Sequence, residues 1–249
     1  MDYISVINHK VNNMSNINVL DNVKEYILEN FDKKRIECLI LYGSHLSSSK
    51  TKPKDYDFLL LLDTYNEKDL DLVKGLNKDQ NIEFFIDYKD QIIEKGFNNY
   101  QRGRHGTYFF IALAYGKCLL GENYYLKNLD KIYYPKVKLD LFFRIEEYFY
   151  RIQKHYVNSR ILDLEYIKKY ISRIVFDLLL IRETIDFPNF HKIHYLDIFD
   201  EYVYEKDVFS ENLDSLLKDI ITHDNMKTVP SLLKFLYKEY LKDFKSLEL

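Results

Sequence analysis

At 249 residues and 30.2 kDa, with 47% hydrophobic residues including 23 Tyr and 17 Phe, the chain can bury one large core or two ordinary ones, which excludes an intrinsically disordered protein. Thirty-six Lys and Arg stand against 39 Asp and Glu, a net charge of −3, so no basic surface grips nucleic acid over the whole molecule. Cys38 and Cys118 are too few for a disulfide framework, the first 15 residues lack the basic start and apolar stretch of a secretory signal, and no apolar run approaches the roughly 20 residues of a membrane span; the expectation is a cytoplasmic protein without membrane association.

Val19, Leu20, Val23, Tyr26, Ile27 and Phe31 recur at helical spacing, and the charged stretch Asp32 to Arg35 closes that helix. Ile36 to Tyr42 (IECLILY) reads as a strand, followed by Gly43 and a Ser-, Lys- and Pro-containing loop to Lys54. Asp55 to Asp63 (DYDFLLLLD) reads as a second strand, acidic where it starts and covered on both faces thereafter. A short helix over 66–77, a third strand over Ile82 to Tyr88, a helix over 100–115 and a short strand from Lys117 to Leu120 complete an α/β half. Beyond it the periodicity is helical: one amphipathic helix from Leu139 onward, another from Ile161 to Glu183, and two more over 211–222 and 231–244, with Pro230 just before the last. The expectation is an α+β protein with an α/β domain over 1–135, a small mixed sheet flanked by helices, and a helical domain over 136–249 that closes a substrate cleft.

The chemistry concentrates in Leu41-Tyr42-Gly43-Ser44, ten residues, then Asp55-Tyr56-Asp57-Phe58. Strand side chains alternate, so Asp55 and Asp57 project to one face about 6 to 7 Å apart along the backbone, where their carboxylates can share metal ions. Hard oxygen donors in that arrangement suit Mg²⁺ or Mn²⁺, and a pair of such cations clamps a polyphosphate and activates an attacking oxygen. Gly43 permits a tight turn with close backbone approach, and the Ser44 hydroxyl with neighbouring amides can hold phosphate oxygens. A third carboxylate is wanted, either as metal ligand or as base. Glu83 and Asp87 share a face of the third strand. With that strand antiparallel to the second, its end meets the second strand's start, which selects Asp87 and leaves Glu83 as a solvated or edge residue. Of the loop cations Lys50, Lys52 and Lys54, the last is the candidate triphosphate contact, while Arg102, Arg104 and His105 (QRGRHG) read as surface. The histidines lack HxH or HxxxH spacing and neither cysteine has a metal-binding neighbour, which argues against zinc; there is no Walker lysine motif and no GxGxxG.

A strand, Gly-Ser, a spacer of ten, Asp-x-Asp followed by apolar residues and an acid on the next strand occur in that order. In this the sequence resembles the nucleotidyltransferase superfamily of polymerase β type over roughly residues 18 to 121, with KCLLG at Lys117 to Gly121 similar to the end of that domain. The helical half, at this total length, makes the architecture similar to the aminoglycoside and lincosamide nucleotidyltransferases. The resemblance implies transfer of a nucleoside monophosphate, AMP from ATP by family prevalence, to a hydroxyl of a small antibiotic-like acceptor with release of pyrophosphate. It implies Asp55, Asp57 and Asp87 at the metals, Gly43, Ser44 and Lys54 on the nucleotide, and a contribution from the helical half, for which Lys154, Arg160, Lys168 and above all Arg173 are candidates. It leaves open a toxin-like enzyme that modifies RNA or protein, and an antitoxin-like module that binds nucleotide without turnover; three intact acids argue against the last.

Charge by halves bears on the acceptor. Of the 36 basic and 39 acidic residues, 20 and 19 precede residue 139, so the helical half carries 16 and 20, a balance of −4. That disfavours a nucleic acid acceptor, whose phosphates call for excess Lys and Arg, and favours a small and cationic one.

Overall fold

The computed structural model describes residues 19–46, 55–76, 81–100, 106–159, 163–188, 197–198, 209, 215–220 and 226–247. It is an α+β protein with a small four-stranded mixed sheet flanked by helices. The chain divides into two compact units; among the described residues the first comprises 19–46, 55–76, 81–100 and Phe110–Ile132, and the second comprises 106–109 and those from Tyr133 onward.

The first unit opens with α1 (Val19–Asn30), whose Val23 and Ile27 are buried one turn apart, with Phe31 continuing the stripe. Asp32 then caps a 3-10 turn by accepting from the Lys34 amide at 3.0 Å, and the chain enters β1 (Ile36–Tyr42). β2 (Tyr56–Leu62) pairs antiparallel with β1, α2 (Lys68–Leu76) follows, and β3 (Ile82–Tyr88) returns to pair parallel with β2. The chain continues through α3 (Lys89–Lys95) and α4 (Gly106–Ala114) to β4 (Lys117–Gly121), antiparallel to β1, and the short α5 (Tyr124–Lys127), giving the sheet order β3-β2-β1-β4.

The greasy stretch at 58–62 is fully buried, as a central strand covered on both faces requires. Phe58, Leu60 and Leu62 join Leu39, Leu41, Ile82 and Phe84 in one core against Val23 and Ile27 of α1 and Val73 and Leu76 of α2. Two polar links hold α2 in place. Arg35 grips the buried Asp69 carboxylate with both terminal nitrogens, at 3.0 and 2.7 Å, and the Tyr26 hydroxyl donates to the Leu72 carbonyl at 2.8 Å. A two-pronged guanidinium–carboxylate contact fixes direction as well as distance, so the start of α2 is pinned beside the start of β1.

In the second unit the described residues from Tyr133 onward form helices and turns. α6 (Tyr134–Asn158) starts five residues before the expected Leu139 because Pro135 sits in its first turn, where a missing N–H leaves nothing unpaired. α7 (Leu164–Ile181) is capped by Asp163, which accepts from the Tyr166 amide at 3.1 Å, and α8 (Val229–Lys245) takes Pro230 into its own first turn rather than following it. The buried Arg144 of α6 faces the buried Asp177 of α7 at 3.2 Å, and Arg182 reaches Glu239 and Asp243 of α8 at 2.6 Å each. Of the helix expected over 211–222, residues 215–220 are helical and the rest lies outside the described residues. No helix among the described residues is long and apolar enough to cross a membrane.

Candidate metal and phosphate site

Strand register brings the acids together. Tyr42, the last residue of β1, lies opposite Asp57 near the start of β2, and Asp57 lies opposite Glu83 near the start of β3. The sheet therefore ends in a rim where the Gly43 turn and the first residues of two parallel strands meet. Asp55 and Asp57 share a face by alternation, and parallel pairing in register sends Glu83 to that same face. Each of the three contributes a carboxylate oxygen, and these lie within 4.8 Å of one another. Asp55 and Asp57 are half-buried and Glu83 is exposed.

Three carboxylates so close, two of them half-buried, make a full set of negative charges costly. Burial, then the charges of Asp55 and Glu83, push the Asp57 carboxyl up to about 8, and a hydrogen bond to Glu83 adds to the effect. This fits a divalent cation. The donors are hard oxygens, their spacing lets one ion touch all three, and a cation offsets the charge that Asp57 otherwise sheds by protonation.

Gly43 is required here twice over. Its φ of +78° lies in the left-handed region, and a Cβ built on it would overlap the Asp57 carboxylate. The turn Gly43–Leu46 that follows is a short 3-10 segment with Ser44 and His45 half-buried. His45 lies flat on Tyr56, ring centroids 3.6 Å apart and planes 14° apart. Burial lowers the basicity of its imidazole, the Asp55 charge opposing.

Asp87 is not part of this rim. The antiparallel pairing that would bring it to Asp55 and Asp57 does not occur: β3 runs parallel to β2, and Asp87 lies opposite Leu61. Four residues along the strand place it about 13 Å from Glu83. The Asp87 carboxylate accepts from the Tyr125 hydroxyl at 2.9 Å and from the Tyr100 hydroxyl, a structural clasp over the packed rings of Tyr100, Phe110 and Tyr125. Nor does it cap the next helix, whose N-cap is Tyr88 without a side-chain bond. The acid that meets the pair is Glu83, and the signal for it was present in the sequence: a helix between two strands carries the chain back so that the strands run parallel.

Lys54 lies outside the described residues, as do Lys50, Lys52, Arg102, Arg104, His105 and Arg160. Arg173, on α7, places its guanidinium 5.8 Å from the centroids of both the Tyr148 and Tyr170 rings; burial pushes the Asp177 carboxyl up to about 6 against the opposing charges of Arg144 and, less, Arg173. Lys154 lies over the Tyr150 ring at 5.9 Å, and Lys168 pairs with Glu165 at 3.7 Å. All three belong to the second unit. No protein-family model matches the chain, and no curated protein matches it by sequence, so the assignment of chemistry to the acidic rim rests on its own geometry.

Proposed function

We propose that the protein is a metal-dependent nucleotidyltransferase. One observation carries the reading: three carboxylates from adjacent strand starts converge within 4.8 Å, beside a glycine turn whose left-handed φ and close approach to the Asp57 carboxylate disfavour a side chain. Acids grouped by chance at a strand entrance would not be matched by a left-handed glycine packed on the central one.

Asp55, Asp57 and Glu83 would hold the cation, Mg²⁺ or Mn²⁺ by donor type. Bound there, it would supply the charge neutralisation that a transferring phosphoryl group needs. The Gly43–Ser44 turn presents backbone amides and the Ser44 hydroxyl to the β and γ phosphates of a nucleoside triphosphate, ATP as the default. Asp57 lies against Gly43, so a cation it helps hold would stand beside the phosphate-holding turn. Glu83, exposed where its partners are half-buried, is the carboxylate that an acceptor hydroxyl reaches. The acceptor oxygen attacks the α phosphorus as its proton passes to the Glu83 carboxylate and on to water, pyrophosphate leaves, and the acceleration comes from positioning and charge stabilisation. The balance of −4 over residues 139–249 supports a small, hydroxylated and cationic acceptor over a nucleic acid.

The test is incubation with each labelled nucleoside triphosphate and Mg²⁺, together with aminoglycosides, lincosamides, total tRNA and a protein extract, followed by mass identification of the adduct. A nucleotidylated small molecule, lost in Glu83→Gln, is the expected product. Efficient labelling of tRNA or protein with no small-molecule adduct replaces the acceptor assignment by the toxin-like one. Absence of any metal-dependent transfer or nucleotide binding removes the reading altogether.

A further inference from the structure

A half-buried imidazole, with a ring nitrogen that is buried and has no hydrogen-bond partner among the described residues, lies behind the acidic rim. His45 follows Gly43 and Ser44 in the turn, and its imidazole stacks on Tyr56 at 3.6 Å, far closer than the neighbouring Tyr56–Phe58 and Phe58–Phe84 ring pairs. Its Nε2 is buried and accepts or donates no hydrogen bond among the described residues. The contact is therefore made through the ring face. Tyr56 in turn is held on two sides: its amide donates to the Asn81 carbonyl at 2.7 Å, its ring follows Phe58 at 6.2 Å, and Phe58 follows Phe84 at 6.0 Å, so the three form a ladder that runs into the core.

Alternation adds the functional point. Tyr56 stands between Asp55 and Asp57 and points to the opposite face of β2, with Phe58 and Leu60. His45 thus grips the acid-bearing strand from behind, leaving the carboxylate face open.

We propose that His45 is a positioning residue: its stack on Tyr56 ties the Gly43–Leu46 turn to the strand start that carries Asp55 and Asp57, and thereby sets the spacing between phosphate-holding and metal-holding groups. The functional half of this statement rests on the nucleotidyltransferase reading; the structural half does not. Because the hold is through the ring face, a phenyl ring should serve as well as an imidazole, and a methyl group should not.

The experiment compares wild type, His45→Ala and His45→Phe by three measurements. Amide hydrogen exchange over Gly43–Leu46 should rise on the order of tenfold in His45→Ala and stay near wild type in His45→Phe, the range expected for loss of one aromatic pair. Affinity for Mn²⁺ alone should be unchanged in both. Affinity for a non-hydrolysable nucleoside triphosphate in Mn²⁺ should fall roughly 3- to 10-fold in His45→Ala and be restored in His45→Phe. Unchanged exchange in His45→Ala, unchanged nucleotide affinity despite faster exchange, or a His45→Phe variant as impaired as His45→Ala each overturns the proposal. Should His45→Ala fail to fold, the Phe variant decides alone: wild-type exchange and affinity support the stack, and a tenfold loss refutes it. A wild-type protein that binds no nucleoside triphosphate sinks the nucleotidyltransferase reading, and the exchange data then still decide whether the stack anchors the turn.

Discussion

Replacing Asp57 by Asn removes a carboxyl that the fold holds at about 8 against an ordinary value of 3.8. A raised carboxyl means that the folded protein binds a proton the unfolded chain has released, so between pH 4 and 8 this group's contribution to stability falls as pH rises and is constant on either side. At 1.36 kcal/mol per pH unit, a window of roughly four units sets an upper bound near 6 kcal/mol; water at this half-buried rim reduces it to about 2 to 4 kcal/mol. Asn keeps the shape and does not titrate. In EDTA, Asp57→Asn should therefore match wild type near pH 4 and exceed it by on the order of 5 to 10 °C in Tm at pH 8. Millimolar Mg²⁺ or Mn²⁺ should then reverse the order at pH 8, since a ligand that binds only the folded state raises its stability and the variant has lost a ligating oxygen. Thermal melts followed by circular dichroism, at pH 4 to 9 with and without divalent cation, give all four curves. A wild-type-to-variant difference that stays flat with pH, or a cation effect equal in both proteins, would show that the three carboxylates do not form one charge-coupled site.

The two acids of β3 should separate cleanly. Glu83→Gln should lower nucleotide transfer by orders of magnitude with little loss of stability, whereas Asp87→Asn should leave transfer within a few-fold and cost about 1 to 3 kcal/mol in a denaturant melt, because the buried Tyr125 hydroxyl loses a charged acceptor; the opposite pattern would place the site at the other end of the strand. Gly43→Ala should destabilise by about 2 to 4 kcal/mol from its positive φ and the Asp57 overlap, and titration with Mn²⁺ should show weakened binding; an alanine variant with wild-type Mn²⁺ affinity would mean that the turn and the acids are independent. In the helical unit, Asp177→Asn should cost about 3 to 5 kcal/mol by leaving Arg144 charged and buried, and the pair Arg144→Met with Asp177→Leu should recover most of it in urea melts; additive losses in the double variant would contradict a coupled pair.

Much of this fold is legible from local pattern because the sheet is so apolar. IECLILY and IEFFIDY become β1 and β3 over the same residues that periodicity selects, and the second strand lies within Asp55 to Asp63 as expected. Helix limits were less visible where a proline was involved. Pro135 reads as the domain boundary and Pro230 as the residue just before the last helix, yet both lie in first turns, since proline fixes a helical φ and forfeits only an N–H that has no partner there.

The third acid depended on information that no single strand carries. Alternation correctly places Glu83 and Asp87 on the face of Asp57; which of them arrives depends on strand direction, and direction is decided by the connection. β2 and β3 are joined through α2, and Arg35 holding Asp69 with Tyr26 bound to Leu72 keeps that helix packed beside the sheet instead of letting the chain turn straight back. A chain that must climb back along a helix re-enters the sheet at the same end it entered before, so the first residues of both strands share one rim. The third acid then belongs at the start of β3, beside Asp57, and an acid at its end falls among Tyr100 and Tyr125 and is drawn into packing. Gly43 follows the same geometry from the other side: β1 runs antiparallel to β2, so its last residue reaches the rim that β2 leaves, and the left-handed residue that follows, packed on the Asp57 carboxylate, favours glycine. Glycine, two aspartates and a glutamate far apart in sequence thus become one site through two strand directions and one crossover helix.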